Sequence, residues 1–411
     1  MLLWSPLSPE VLGPGCLKGE GGRCAFSGRV KKCVRAAAAA LVLLFSACTV
    51  GSGSPIRYSA APLPNTTSSA SFDAMEIDQA AGRLYVADRA DSGVDVFDLS
   101  TVPATYAKTI SFSFSPNGLA FAPDLKRLYV GLANGSLGIV DVNLTSPTAY
   151  SVIKVVPTGG KTVDLIDYSQ QRHEVYASNG SDGTVTKVDA NTGAVTGQIK
   201  IGFGLEQPRY NPVDGLVYVT SPDAGAMFVL DPNTGTMNKK IGIGSCLGKG
   251  FAINPKLDQA MIACSTWVQR INLRNTNDLE VFKDIGGGDL VTYDAAADRF
   301  LVAAPDDVPA AVGIFGGNPI RYIAKARAPG HGNSAALDEQ HGTVYTPDTR
   351  AGKAGLMAFD LPNGEPPISI DSSALIEIGA AIGVIVLVML WIGRHSDPVN
   401  RPAPLPRRRR A

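Results

Sequence analysis

A motif that returns every 40 to 47 residues constrains this chain more than any other feature. Its centres are Tyr85, Tyr129, Tyr176, Tyr218, Met261, Leu301 and Tyr345, each inside a short apolar run such as Leu84-Tyr85-Val86 or Val217-Tyr218-Val219. Eight residues before each centre stands Ile77, Phe121, Tyr168, Tyr210, Ile253, Tyr293 or Leu337, all apolar or aromatic. A third run follows each centre, as in Val94 to Asp98, Leu137 to Asp141 and Val185 to Asp189, and a fourth appears in Val195 to Ile201 and Met237 to Ile243. Between them lie turn residues, most clearly the Asp-x-Asn-Thr-Gly stretches Asp189 to Gly193 and Asp231 to Gly235. There Asp and Asn bond the backbone of a tight turn and Gly supplies positive φ. Alternating β-branched runs broken by such turns predict strands, and four strands in about 43 residues make one propeller blade.

The expected fold is therefore all-β: a seven-bladed β-propeller of four-stranded blades over 73–364. One blade cannot bury both of its faces, whereas a closed ring packs each face on a neighbour. Closure needs a strand from the far end of the chain. Ile56 to Tyr58 and Ile368 to Ile370 are the two candidates, and either brings the ends of the domain together.

The repeats resemble the YVTN-type family of seven-bladed propellers, most closely at Tyr218-Val219-Thr220-Ser221 running on to Gly235, and from Gly183 to Gly202. The likeness covers nearly all of 73–364. It weakens in blades 5 and 6, where Ile271-Asn272 and Ile314-Phe315-Gly316 lack the usual Asp. The resemblance implies the fold. For activity it implies only a range: lactonase-like enzymes, cofactor-associated propellers, and surface proteins that bind.

The flanks point to export. Lys31, Lys32 and Arg35 precede an apolar stretch over 36–47, the plan of a secretory signal that is too short to span a bilayer. Ser46-Ala47-Cys48 resembles a bacterial lipobox with Phe45 at its first position, which implies lipidation of Cys48; ordinary cleavage is the alternative. Residues 1–29 hold three prolines and two glutamates and do not suit a signal, so Val30 reads as the better start. After a linker over 49–72, the propeller and a second linker over 365–373, residues 374–393 carry a single charge, Glu377. Twenty such residues predict a transmembrane α-helix. Arg394 and the Arg407 to Arg410 cluster predict a cytoplasmic tail over 394–411 and a body outside the cytoplasmic membrane. Of six cysteines, Cys246 and Cys264 lie in the body, where an exported protein is able to pair them.

Residues 49–373 hold 25 basic and 33 acidic side chains, a net charge of −8. That balance excludes nucleic acid as the main partner, which needs a basic footprint. No nucleophile elbow, phosphate-binding loop, dinucleotide fingerprint or zinc spacing is present. Gly286-Gly287-Gly288 reads as a connector, and Asn134 and Asn179 as turn residues within glycosylation-like sequons. Asp88, Asp91 and Asp95 miss the calcium-loop spacing and read as solvated turn acids. The sharpest chemical signal lies twelve residues before each centre: Asp73, Asn117, Asp164, Glu206, Lys249, Asp289 and Asn333. All seven are polar, at the expected mouth of the central channel. Such a ring either holds a divalent cation or a polar small molecule, or is polar because the mouth is wet. His331 is expected at the same mouth, beside Asp289 and Asp73, with His173 and His341 on the opposite rim. The resulting expectation is a membrane-anchored propeller that binds a protein, a glycan or a small ligand. The alternative is a lactonase-like hydrolase using mouth carboxylates and a divalent ion.

Overall fold

A computed structural model describes residues 56–64 and 70–362. Within them the chain forms seven antiparallel four-stranded sheets, each built from strands adjacent in sequence except the last. The expected signal region, Cys48, the expected 374–393 membrane span and the basic residues after it lie outside the described residues. Among the described residues no helix is long and apolar enough to cross a membrane.

The inner strands are Phe72–Asp78, Pro116–Ala122, Ile166–Ser169, Pro208–Asn211, Phe251–Asn254, Val291–Asp294 and Ala336–Asp338. Each runs from the mouth to the opposite rim, and the second strand returns. The repeat centres sit on these second strands, where Leu84, Tyr85 and Val86 are fully buried. A strand covered on both faces by neighbouring blades needs a continuous apolar run, which is what the motif supplies. Outer strands such as Ala194–Lys200 and Thr236–Gly242 are exposed over most of their length.

The two fixed apolar positions of the repeat have a direct structural meaning. Each central aromatic packs on the residue eight before the next centre. Tyr85 meets Phe121 at a centroid distance of 6.3 Å, Tyr129 meets Tyr168 at 6.1 Å, and Tyr176 meets Tyr210 at 6.1 Å. The last two pairs are stacked, and aromatic contacts of this kind add to plain area burial. The motif is thus a blade-to-blade contact written into every repeat.

Inner strands also hydrogen-bond across blades. Gly118 N–H donates to Asp164 O at 2.8 Å, and Gly250 N–H donates to Asp289 O at 2.8 Å. A Cβ on Gly118 would lie 2.6 Å from Asp164 O, and one on Gly250 2.5 Å from Asp289 O. Glycine is required at both places by this close backbone approach.

Blades 5 and 6 form four strands despite their weaker motif. Asn272 replaces Asp in blade 5, its Oδ1 accepting Arg274 N–H at 3.0 Å. In blade 6 a Cβ at Gly316 would stand 2.4 Å from Asp298 O, so no side chain fits there.

The ring is closed by Tyr58–Pro62, which pairs antiparallel with Gly355–Asp360 as the outer strand of blade 7. Closure therefore comes from the N-terminal side, but by Tyr58–Pro62, which shares only Tyr58 with the expected Ile56 to Tyr58, and part of the expected 49–72 linker belongs to the propeller. The acids near Asp91 require a correction. Asp88 and Asp95 are 1% and 2% exposed and are structural rather than solvated. Asp88 Oδ1 accepts the N–H groups of Ala90 and Asp91, and Asp95 Oδ1 accepts the Thr109 hydroxyl at 2.5 Å. Asn179 is fully buried, bonded to Thr158, Thr184 and Thr186, and so is closed to glycosylation in the folded protein.

Candidate ligand site at the channel mouth

The mouth residues are placed by backbone, which makes the site rigid. Asp164, Glu206, Lys249 and Asp289 each precede an inner strand by two residues. Each extends the ladder by one rung, donating N–H to Ser178 O, Thr220 O, Ala263 O and Ala303 O at 2.8 to 3.0 Å. Asp73 and Asn117 lie within their strands, at register shifts between Phe72 and Met75 and between Pro116 and Leu119. Such bulges re-aim side chains. Here both turn toward Arg89, a residue outside the expected ring. Its guanidinium pairs with the Asp73 carboxylate and donates from Nε to Asn117 Oδ1 at 3.0 Å. Asn117 Nδ2 in turn donates to Val163 O at 2.7 Å.

Opposite this cluster, Lys249 Nζ lies 3.7 Å from Asp289 Oδ1. Both halves of that pair hang on one cystine. Cys246, three residues before Lys249, is bonded to Cys264. Cys264 O accepts the N–H of Gly288, the residue before Asp289, at 3.2 Å.

Two carboxylates remain without such partners. No side chain or backbone N–H among the described residues donates to the carboxylate of Asp164 or of Glu206. Both line a cleft of about 300 Å³ with Thr162, Ser181, Pro222 and Asp223. Gly180 and Gly204 also line it. The electrostatics follow from this crowding. Burial pushes Glu206 up to about 8, helped by Asp164 and Asp289 and opposed by Lys249. Burial pushes Asp164 up to about 6, opposed by Arg89. Asp73 rises to about 7 because burial outweighs its Arg89 partner. Asp289 is also raised by burial, against Lys249. Burial and crowding thus favour the protonated form of both carboxyl groups, which lets the cleft donate as well as accept hydrogen bonds.

Ala74, Leu119, Leu165 and Leu290, from blades 1, 2, 3 and 6, meet in one apolar cluster beneath the mouth. A small cavity of about 30 Å³ adjoins this plug and is lined also by Glu76, Gln207, Arg209, Thr292 and Ser334. Arg209 there pairs with Asp167 at 2.9 Å, and burial raises Glu76 to about 7. The mouth is thus a shallow cup with a hydrophobic base.

The positions read from spacing come together unevenly. Asp73, Asn117, Asp164, Glu206, Lys249 and Asp289 converge. Asn333 joins them through its backbone, its O accepting the N–H of Leu290 at 3.1 Å, and it also lines a second cleft of about 460 Å³ between blades 7 and 1, with His331, Phe72 and Arg350. His331 faces that cleft, at φ 65°, rather than standing against Asp289 and Asp73. His173 and His341 lie on the opposite rim, near Asp124 and Asp338 respectively. Among the described residues no three His, Cys, Asp or Glu side chains are grouped to hold a metal ion. Interleaved Arg89, Asn117 and Lys249 break up the carboxylates that a divalent cation would need. Arg89 escaped the spacing argument because it belongs to a turn between strands, not to an inner strand.

Fold and site together define a seven-bladed propeller with a charged, cup-shaped mouth. No family model matches the chain, and no curated protein matches it. Solved structures do: 1730 chains are similar, so the shape is common and carries no function by itself. One is hydrazine synthase of Kuenenia stuttgartiensis, with a TM-score of 0.59 at 12% identity, covering 71% of this chain and 96% of that one. At that identity the likeness concerns the fold alone.

Proposed function

We propose that this protein is a membrane-anchored, extracytoplasmic binding propeller whose channel mouth takes a small polar ligand. The observation that carries the reading is the pair Asp164 and Glu206, which share a solvent-open cleft and are the two of the four ring carboxylates, Asp73, Asp164, Glu206 and Asp289, with no hydrogen-bond or ion-pair partner among the described residues. Natural proteins rarely leave half-buried carboxylates without partners unless something arrives to meet them. The YVTN-like repeats, the lipobox-like Cys48 and the apolar 374–393 segment support the exported, anchored part of the proposal. The interleaving of four carboxylates with Arg89, Lys249 and Asn117 favours a ligand rich in hydrogen-bonding groups, such as a glycan or a polyhydroxylated small molecule. The test is calorimetric screening of sugars, polyols and amines against wild type, Asp164→Asn and Glu206→Gln. A ligand whose affinity falls about tenfold or more in both variants, the loss of one charge-assisted hydrogen bond, supports the proposal. A ligand that binds all three proteins equally places the site elsewhere.

A hydrolase is the second reading, favoured by the split between Glu206 near 8 and Asp164 near 6. Two carboxyl groups separated in this way can act as general acid and general base. Turnover of lactones or esters that is abolished in Glu206→Gln would establish it in place of simple binding.

A further inference from the structure

The two ends of the propeller leave from the same place, and that place is opposite the mouth. Tyr58 is in register with Phe359, and Pro62 with Gly355. Gly355 begins the third strand of blade 7, on the mouth side, because the second strand of that blade ends there at Asp348. Tyr58 and Asp360 therefore mark the far rim. Their exits are held together: Arg57 Nε donates to Asp360 Oδ2 at 2.8 Å, and Leu361 N–H donates to Gly342 O, in a far-rim turn, at 2.8 Å. Neighbouring strands lie about 4.8 Å apart, so both flanks depart almost from one point.

The chain outside these exits limits how the disc can turn. Eight residue steps separate Ile56 from Cys48, at most about 27 Å of extended chain. Twelve separate Pro362 from Ala374, at most about 41 Å. Blade strands of six or seven residues stand about 20 to 23 Å tall, before the turns on either rim are added. A disc with its mouth against lipid would need both flanks to climb that whole height, leaving the shorter one nearly taut. A disc with its far rim against lipid needs no extension of either flank, and so keeps their conformational freedom.

We infer that the rim opposite the mouth is the surface this protein presents to the lipid headgroups, so that the ligand cup opens away from the bilayer. This rests on the anchoring proposed above. It also assigns the two rims different partners: lipid on the His173 and His341 side, and ligand from the exterior on the Glu206 side.

The test uses the full chain, purified from membranes and reconstituted in vesicles that carry a headgroup-linked acceptor dye. A donor dye is attached through an azido amino acid placed at Val213, on the far rim, or at Val308, on the mouth rim. Both side chains are exposed, 44% and 91%, so the label disturbs no packing. With one blade height between the two positions, the Val213 donor is expected to transfer about twofold more energy to the lipid dye than the Val308 donor. Equal transfer, or the reverse order, in protein that sediments with the vesicles overturns the orientation and leaves anchoring intact. Protein that fails to sediment overturns the anchoring, and the orientation with it.

Discussion

Arg89 organises the mouth more than any other side chain. It neutralises Asp73, whose side chain is 7% exposed, and it fixes Asn117, which in turn ties blade 2 to the connector entering blade 3. Removing it leaves a buried carboxylate without its partner, a change that is costly because desolvation is no longer offset. Arg89→Met is expected to lower stability by about 2 kcal/mol, toward the middle of the range for an orphaned buried polar group, since the guanidinium itself is partly exposed. Urea unfolding measures this. Asp73→Asn in the same chain should restore most of the loss, because it removes the charge that Arg89 serves. A double variant as unstable as Arg89→Met alone would mean that the arginine acts by packing rather than by charge.

At the scale of elements, the loops feeding blades 5 and 6 are set by one cross-link. The cystine spans 18 residues and holds both members of the Lys249–Asp289 pair through their neighbours. A loop of this length is stabilised by about 3 kcal/mol in the chain-entropy account. Cys246→Ser with Cys264→Ser is expected to lower the urea midpoint by a corresponding amount, and reduction of the wild type should give the same midpoint as the double variant. A reduced wild type indistinguishable from the oxidised protein would show that the bond adds nothing to this fold. The repeat itself was legible at this scale. Tyr129 and Tyr168, or Tyr176 and Tyr210, are spaced as they are because each pair spans one blade interface, and the same pair of positions meets from blade to blade around the ring. The pairing of Tyr58–Pro62 with Gly355–Asp360 was legible only as one of two options, since a short β-prone segment near either end would serve.

For the molecule as a whole, the raised carboxyl groups make stability depend on pH. Asp73, Glu76 and Asp95 lie near 7, Asp164 near 6 and Glu206 near 8 in the folded protein, against ordinary values near 4 when unfolded. Each folded pKa lies above its unfolded value, so the folded state binds more protons across this interval. The stabilisation is fully present below pH 4 and is lost as pH rises through 6 to 8. Asp98, Asp141 and Asp189 have lowered pKa values and act oppositely, but only below about pH 4, as their ordinary value is crossed. The melting temperature is therefore expected to be several degrees higher at pH 5 than at pH 8, and the difference should shrink in Glu206→Gln and Asp95→Asn. A melting temperature that is flat or rises over this interval would show that the mouth and the Asp95 pocket are more hydrated than their burial implies.

The sequence by itself determined the architecture. A hydrophobic motif repeated seven times has one economical use, because identical wedges bury one another only by stacking into a ring, and local turn chemistry sets the strands of each wedge. The same periodicity picks out the polar positions at the starts of the inner strands, since position along an inner strand fixes depth in the channel. Tertiary structure alone decided which of them meet. Asn333 came to line a second cleft as well, Arg89 entered from a turn, and Asp88 and Asp95 became structural acids. Burial and charge at a point on the axis depend on what seven separate repeats bring to it, and no single repeat carries that information.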